Sequence, residues 1–232
     1  TFSSPQILMP ENTNKDKVSN YSMAFDGIDD YIEIPTTSAY TVTSLSMWVK
    51  TSKVFGVNVR DSLASNNNYN QGRDFFIGDT PTSTNDAYIG MTAGASIYGK
   101  TSATGGIPIN DGNWHFLVWT YDSTAGTSAA INMYVDGANQ YSQAANTSWW
   151  TREVKYQYFG KLISATNNFT GNIDEISIFN TILSPSDITT LYNSGIPTDL
   201  TSLSPVSWWR MGEEAVFTNN WLVDNSATTA YS

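Results

Sequence analysis

Short runs of apolar and aromatic residues, interrupted about every 8 to 12 residues by Gly, Asn, Asp or Pro, extend along almost the whole chain, and this spacing is that of antiparallel strands joined by turns. The runs fall at 21–25, 31–34, 45–50, 74–78, 87–91, 114–121, 130–135, 156–159, 171–179 and 206–211. Leu45, Met47 and Val49 alternate with Ser46, Trp48 and Lys50, as in a half-buried strand. Ile173, Ile176 and Ile178 sit among polar neighbours, and the break in alternation near Asp174-Glu175 predicts a bulge or edge irregularity. Asp136-Gly137 tolerates the positive φ of a two-residue hairpin turn. Trp114, Phe116, Val118 and Tyr121 are large enough to fill a sandwich core together, with His115 a strand residue among them. A single helix is expected over 185–193: Ser184 is its N-cap, Pro185 opens it and Asp187 meets the free amides. Ile188, Leu191 and Tyr192 share one face of it, and Gly195 supplies the stop. The polar stretches 52–73 and 80–86 read as loops, where binding residues gather on a rigid scaffold. The fold class is therefore all-β, an antiparallel two-sheet sandwich of jelly-roll type with one short helix.

Charge narrows the function. Eleven basic residues against 21 acidic ones give a net charge of −10, and the few cations are scattered, so the basic stripe that phosphate recognition needs is missing and nucleic acid is not an expected partner. With no cysteine there is no thiolate metal site, and a lone histidine excludes a His-rich zinc site. No run reaches the ~18 to 20 apolar residues of a membrane helix, so membrane insertion is not expected. Carboxylates gathered in loops would suit a hard, oxygen-seeking cation such as calcium.

Three segments in order carry a resemblance: 23–35 with Phe25-Asp26-Gly27 and Asp29-Asp30-Tyr31, then Asp111-Gly112-Asn113-Trp114-His115-Phe116 leading to Tyr134-Val135-Asp136-Gly137, then Gly171-Asn172-Ile173-Asp174-Glu175-Ile176. Followed by Leu183-Ser184-Pro185-Ser186-Asp187-Ile188, they resemble the LamG-like jelly roll of the concanavalin A-like lectin/glucanase superfamily over residues 21–195. Members that hold a structural calcium place it where an early turn meets a late strand, which in this sequence implies Asp26, Gly27, Asp29 and Asp174. Two readings of the early turn stay open: a calcium site, or a plain turn whose carboxylates cap free amides. Asp174 itself, inside an apolar run, must be exposed, hydrogen-bonded or metal-bound.

The superfamily's glucanases use alternating carboxylates on one strand about 5 Å apart. No such set occurs here, nor a G-x-S-x-G elbow, so the protein is not expected to be an enzyme. Sugar binding calls for flat aromatic rings beside Asn and Asp side chains, and Asn67, Tyr69, Tyr98, Trp149 and Trp150 lie in or beside the expected loops. Trp149 and Trp150 have a second reading, one ring in the core and the other in a subunit contact.

Residues 205–214, with Trp208 and Trp209, look like the strand that normally opens this jelly roll, standing last instead. They either complete the same sandwich, open a further module or pair with a neighbour. The expected organisation is an extension at 1–20, the jelly roll at 21–195, and a linker and strand at 196–232. The order of the tail resembles LamG-like structural proteins of marine bacteriophages. That implies a decoration or adhesion module of a virion surface or other extracellular assembly, with glycans such as host-surface polysaccharide and other structural subunits as partners. The alternative is a secreted bacterial carbohydrate-binding module attached to a glycan-degrading enzyme.

Overall fold

Alternating strands of this length can bury their apolar faces only by stacking two sheets. The computed structural model describes residues 21–34, 43–56, 59–65, 74–78, 87–93, 96–99, 106–122, 129–144, 158–162 and 167–211. It has two antiparallel sheets. The seven-stranded one runs β1 (Met23–Asp26), β12 (Thr170–Phe179), β3 (Ser44–Lys50), β8 (Trp114–Tyr121), β9 (Ala129–Val135) and β10 (Ala138–Ala144), with β13 (Ser207–Trp209) also on β12. The six-stranded one runs β2 (Ile32–Glu33), β11 (Tyr158–Phe159), β4 (Arg60–Ser65), β5 (Phe75–Gly78), β6 (Tyr88–Ala93) and β7 (Ser96–Gly99).

Strand parity divides the large side chains between two cores. Leu45, Met47 and Val49 of β3, Leu117, Trp119 and Tyr121 of β8, and Ile173, Ile176 and Ile178 of β12 face the second sheet. There they meet Phe25, Leu63, Phe75 and Phe159, with the Phe75 and Trp119 rings stacked at 4.5 Å. Trp48, Phe116 and Val118 have the opposite parity and lie on the outer face of the first sheet, beneath Leu183, Ile188, Leu191, Leu200 and Trp208. The four large residues expected to fill the sandwich core are thus split. Tyr121 is inside, Phe116 and Val118 are outside under a second apolar layer, and Trp114 stands at the rim, 38% exposed.

That outer layer exists because α1 (Pro185–Tyr192) lies across the sheet. Ser184 accepts from the Asp187 amide while Asp187 reaches back to the Ser184 N–H, a reciprocal capping box that satisfies two otherwise orphaned donors. The helix ends one turn earlier than Gly195: Asn193 takes the left-handed conformation (φ 44°) as C-cap, and a 3₁₀ turn, Asn193–Gly195, follows. Asparagine reaches that region more readily than other non-glycine residues because its short polar side chain can bond locally. Among the described residues no helix is long and apolar enough to cross a membrane.

Stretch 52–73 is not all loop. β4 is a central strand although Asp61, Ser62 and Ser65 are buried polar residues. The Lys53 ammonium contacts the Asp61 carboxylate at 2.6 Å, the Thr170 amide donates to the other Asp61 oxygen, and the Ser65 hydroxyl donates to the Lys161 carbonyl. Burial pushes the Asp61 carboxyl above its usual range even though Lys53 and the Thr170 amide pull it down.

Two irregular features are as the sequence implied. Register slips between Asp174 and Ser177, with Glu175 at φ 51°, so a bulge interrupts the strand. The hairpin between β9 and β10 turns on Asp136 (φ 52°) and Gly137 (φ 78°). The tail joins the same sandwich: Ser207, Trp208 and Trp209 pair with Ile178, Ser177 and Ile176.

Candidate functional site

Cross-strand register puts Asp174 beside Trp48, and Trp48 beside Phe116, all on the outer face of the first sheet. Trp48 is held there by rings on two sides, Phe116 at 5.2 Å and Tyr192 of α1 at 6.1 Å. Trp114, two residues before Phe116 and therefore on the same face, projects past the end of the helical cover. Together with Tyr21 and Ser22 ahead of β1 and Gly195 and Pro197 after α1, these side chains line a cleft of about 270 Å³. That is close to the lower end, about 300 Å³, of small-molecule sites. The Asp174 carboxylate is buried at its wall and accepts from the Glu175 amide at 2.8 Å. Asn172 donates to the Ser22 hydroxyl at 3.2 Å, fixing one side. Neighbouring Glu175 points elsewhere: it accepts from the Trp208 indole N–H and lies 3.5 Å from the Arg210 guanidinium.

The cleft thus has a half-exposed indole face, a carboxylate acceptor and two hydroxyl-bearing side chains. A flat, partly apolar ring carrying hydroxyl groups fits such a lining, one face on the indole and the hydroxyls donating to oxygen. Among its described lining residues Asp174 is the only carboxylate, so the two-carboxylate geometry of glycoside hydrolysis is not assembled there.

A histidine bridge stands behind Trp114. His115, of opposite parity and buried, faces Asp136 through Nδ1 at 2.8 Å and Asp111 through Nε2 at 3.1 Å. Burial by itself would lower the imidazole pKa, but the two carboxylates outweigh it, and the net shift is upward from 6.5. Burial likewise works against ionised Asp111, yet bonds from the Asn113 side chain and amide and from His115 hold its carboxyl below the usual value.

The early turn is a separate feature. Asp26 accepts from the Ile28 amide at 2.7 Å and Asp30 accepts from the Asp26 amide at 2.9 Å, so two carboxylates cap amides. Gly27 sits at φ 79°, where a Cβ would strike the Thr170 hydroxyl. Carboxylate oxygens of Asp26, Asp29 and Asp30 nonetheless converge within 4.8 Å of one another. Asn168 donates to the Ile28 carbonyl at 2.6 Å, and its own Oδ1 is buried with no hydrogen-bond partner.

The residues expected to share a cation therefore divide. Asp26, Gly27 and Asp29 are together in the turn, joined by Asp30, but Asp174 is not with them. Asp26 pairs with Thr170, and Asp174 lies four residues further along β12, about 13 Å at the usual strand rise. Its parity turns it into the cleft instead. Tyr98 falls on β7, opposite Met91, rather than in a loop, and its side chain is outside the described residues. Asn67, Tyr69, Trp149 and Trp150 also lie outside them. Tyr21, Ser22 and Trp114 were not expected at a site. Parity gave a signal for Trp114, since 114, 116 and 118 cannot share a face with 121.

Two antiparallel sheets packed as a jelly roll, with a ring-lined cleft on the outer face of one, make a lectin-type sandwich. Residues 26–189 match the family model described as the concanavalin A-like lectin/glucanases superfamily, of laminin G type, and the chain belongs to that family. No curated protein matches the sequence. Among solved structures it is similar to domain 4 of AbnA, a GH43 extracellular arabinanase from Geobacillus stearothermophilus, in complex with arabinotriose: 21% identity, TM-score 0.51, 74% of this chain and 76% of that one. It is similar to a putative carbohydrate binding protein from Bacteroides ovatus at 14% identity and TM-score 0.64, covering 90% of this chain and 56% of that one. The CBM40 of the Ruminococcus gnavus IT-sialidase, bound to α2,3-sialyllactose, matches at 10% identity and TM-score 0.54, over 74% and 96%. At these identities the likeness is one of fold.

Proposed function

We propose that this chain is a non-catalytic, extracellular glycan-binding module that seats a sugar ring in the cleft of Tyr21, Ser22, Trp48, Trp114 and Asp174. The observation that carries the reading is the juxtaposition of the exposed Trp114 indole with the buried Asp174 carboxylate at one cleft. The glycan ligands named for the arabinanase domain and the sialidase module support it. Calorimetry with arabinotriose and sialyllactose, followed by a glycan array, tests it. Trp114→Ala should weaken whichever glycan binds by about 1 to 3 kcal/mol, the worth of one buried aromatic anchor, while leaving the melting temperature nearly unchanged. Full retention of binding in both Trp114→Ala and Asp174→Asn would overturn the assignment of the cleft. The same cleft serves either setting, an appended module beside a catalytic domain or an exposed decoration on a virion. Genomic neighbours and copy number in a particle separate these.

We also propose a structural calcium at the early turn. Three converging carboxylates are a hard-oxygen donor set, and Asn168, which donates to the Ile28 carbonyl of the same turn and whose Oδ1 has no hydrogen-bond partner, supports the fit. Asp26, Asp29, Asp30 and Asn168 would hold the ion, which would fasten the turn to the segment before β12. An ion that binds the native state alone raises stability by about 2.7 kcal/mol at 100 times its dissociation constant. Chelation is therefore expected to lower the melting temperature of the wild type and of Asp174→Ala alike, and to leave Asp29→Ala unmoved. No effect of chelator on the wild type would remove calcium from the turn.

A further inference from the structure

Trp114 is carried by a turn with its own fastening. In that turn Asp111 Oδ1 accepts from the Asn113 amide at 2.8 Å, Asn113 Nδ2 donates to Asp111 Oδ2 at 2.9 Å, and the Gly112 amide donates to the Thr51 carbonyl at 3.0 Å. The turn is thus a small rigid unit. Besides the Gly112–Thr51 bond and the pairing of Trp114 with Lys50 of β3, the turn is fastened by the contact of Asp111 with His115, and through His115 with Asp136 of the β9–β10 hairpin.

An imidazole flanked by a carboxylate at each nitrogen satisfies both only when both nitrogens carry protons. The neutral ring has one N–H. Asp136 keeps it, because that carboxylate is closer, less exposed (23% against 45% for Asp111) and already fixed by the Phe116 amide at 2.9 Å. The Nε2 lone pair then faces the Asp111 carboxylate, and attraction becomes repulsion.

We propose that the Asp111–His115–Asp136 bridge is a pH-operated latch that holds the 111–114 turn, and with it the Trp114 ring, in place at the cleft while the imidazole carries both protons and loosens it when rising pH removes one. The regulation of binding rests on the cleft being the glycan site; the latch itself does not. Among the described residues the charged partners of the ring are Asp111 and Asp136. On β3 the residue opposite His115 is Val49, and Lys50 has the outward parity of Trp48. Lys53 is engaged with Asp61 at 2.6 Å, and α1 brings the uncharged Tyr192 and Thr189 against Gly137. The direction of the His115 shift agrees: the ring's pKa is raised above 6.5, so the bridge contributes its full stability below about 6.5 and loses it as pH climbs through the raised value.

The test uses the full chain free of ligand. Nitrogen-15 NMR follows the His115 ring and the Trp114 indole N–H, the latter assigned by its absence in Trp114→Phe. The Trp114 signal is expected to titrate with the same midpoint as His115, above the ordinary histidine value. Asp111→Asn should move that midpoint down, and His115→Gln should leave the Trp114 signal flat across the range. A Trp114 signal that ignores the titration of His115, or that titrates unchanged in His115→Gln, overturns the latch. In parallel, affinity for arabinotriose or sialyllactose is measured at pH 6 and pH 9. If either binds, wild-type affinity should fall roughly three- to tenfold at the higher pH, the net worth of about one ordinary hydrogen bond, and that of His115→Gln should not. Equal affinity at both values in the wild type overturns the regulation. Coupled titration of His115 and Trp114 with neither sugar bound upholds the latch and counts against the glycan reading alone.

Discussion

Deleting residues 205–232 is expected to abolish cooperative folding of the isolated chain, because β13 and the residues after it close both cores at once. Trp208 is buried in the outer layer with Trp48 and Leu200, Trp209 packs against Phe159 with ring centres 6.0 Å apart, and Met211 is buried between the sheets. A buried Trp→Ala change costs about 3 to 5 kcal/mol, and native domains have only about 5 to 15 in all. Trp208→Ala carries most of this penalty by itself, since it also removes the indole donor from the buried Glu175 carboxylate that lies against Arg210. Urea unfolding of the monomer measures the effect. A truncated chain with wild-type midpoint would mean that the strand is dispensable, and a folded monomer that fails to assemble would mean that the strand serves a neighbour.

The next largest effect is expected from Gly171→Ala. Gly171 is opposite Phe25 on β1, at φ 145°, and a Cβ there would run into the Lys50 carbonyl of β3, a backbone atom that cannot turn aside. The substitution combines a disfavoured backbone conformation with separation of the central strand pair, and about 3 to 5 kcal/mol is expected. Gly112→Ala is the control: φ is also positive (82°), but the nearest atom to a Cβ is 3.9 Å away, so only the backbone term of roughly 1 to 2 kcal/mol remains. Comparable denaturation midpoints for the two variants would show that close approach of β3 and β12 is not what requires glycine.

Much of the architecture was legible because strand alternation and turn chemistry are local. The Asp136-Gly137 hairpin, the bulge at Asp174-Glu175 and the Ser184 cap each follow from a few adjacent residues, and each is present. β4 was not legible, since its buried Asp61 and Ser65 are satisfied by Lys53 and the Lys161 carbonyl, partners that only tertiary folding supplies. The candidate site was partly legible for the same reason. Asp174 stood out as a carboxylate in an apolar run, but its neighbours depend on the pairing of β12 with β3, which brings Trp48 rather than the early turn beside it. Trp114 was misplaced by a rule of size; its parity, together with its position at the first residue of β8, sets it at the edge of the helical cover.

β1 and β13 meet the same strand and run the same way along it. β13 covers Ile178 to Ile176 and β1 covers Ile173 to Thr170, so the end of one points at the beginning of the other. They make one border cut in two, and the cut falls opposite Asp174 and Glu175. β13 thus stands beside β12 in line with β1, and strands far apart in sequence share one border of the sheet. The seam between them is also where Asp174 reaches the cleft and where Tyr21 and Ser22 enter it, so a molecule seated there would lie across the join of the two strands.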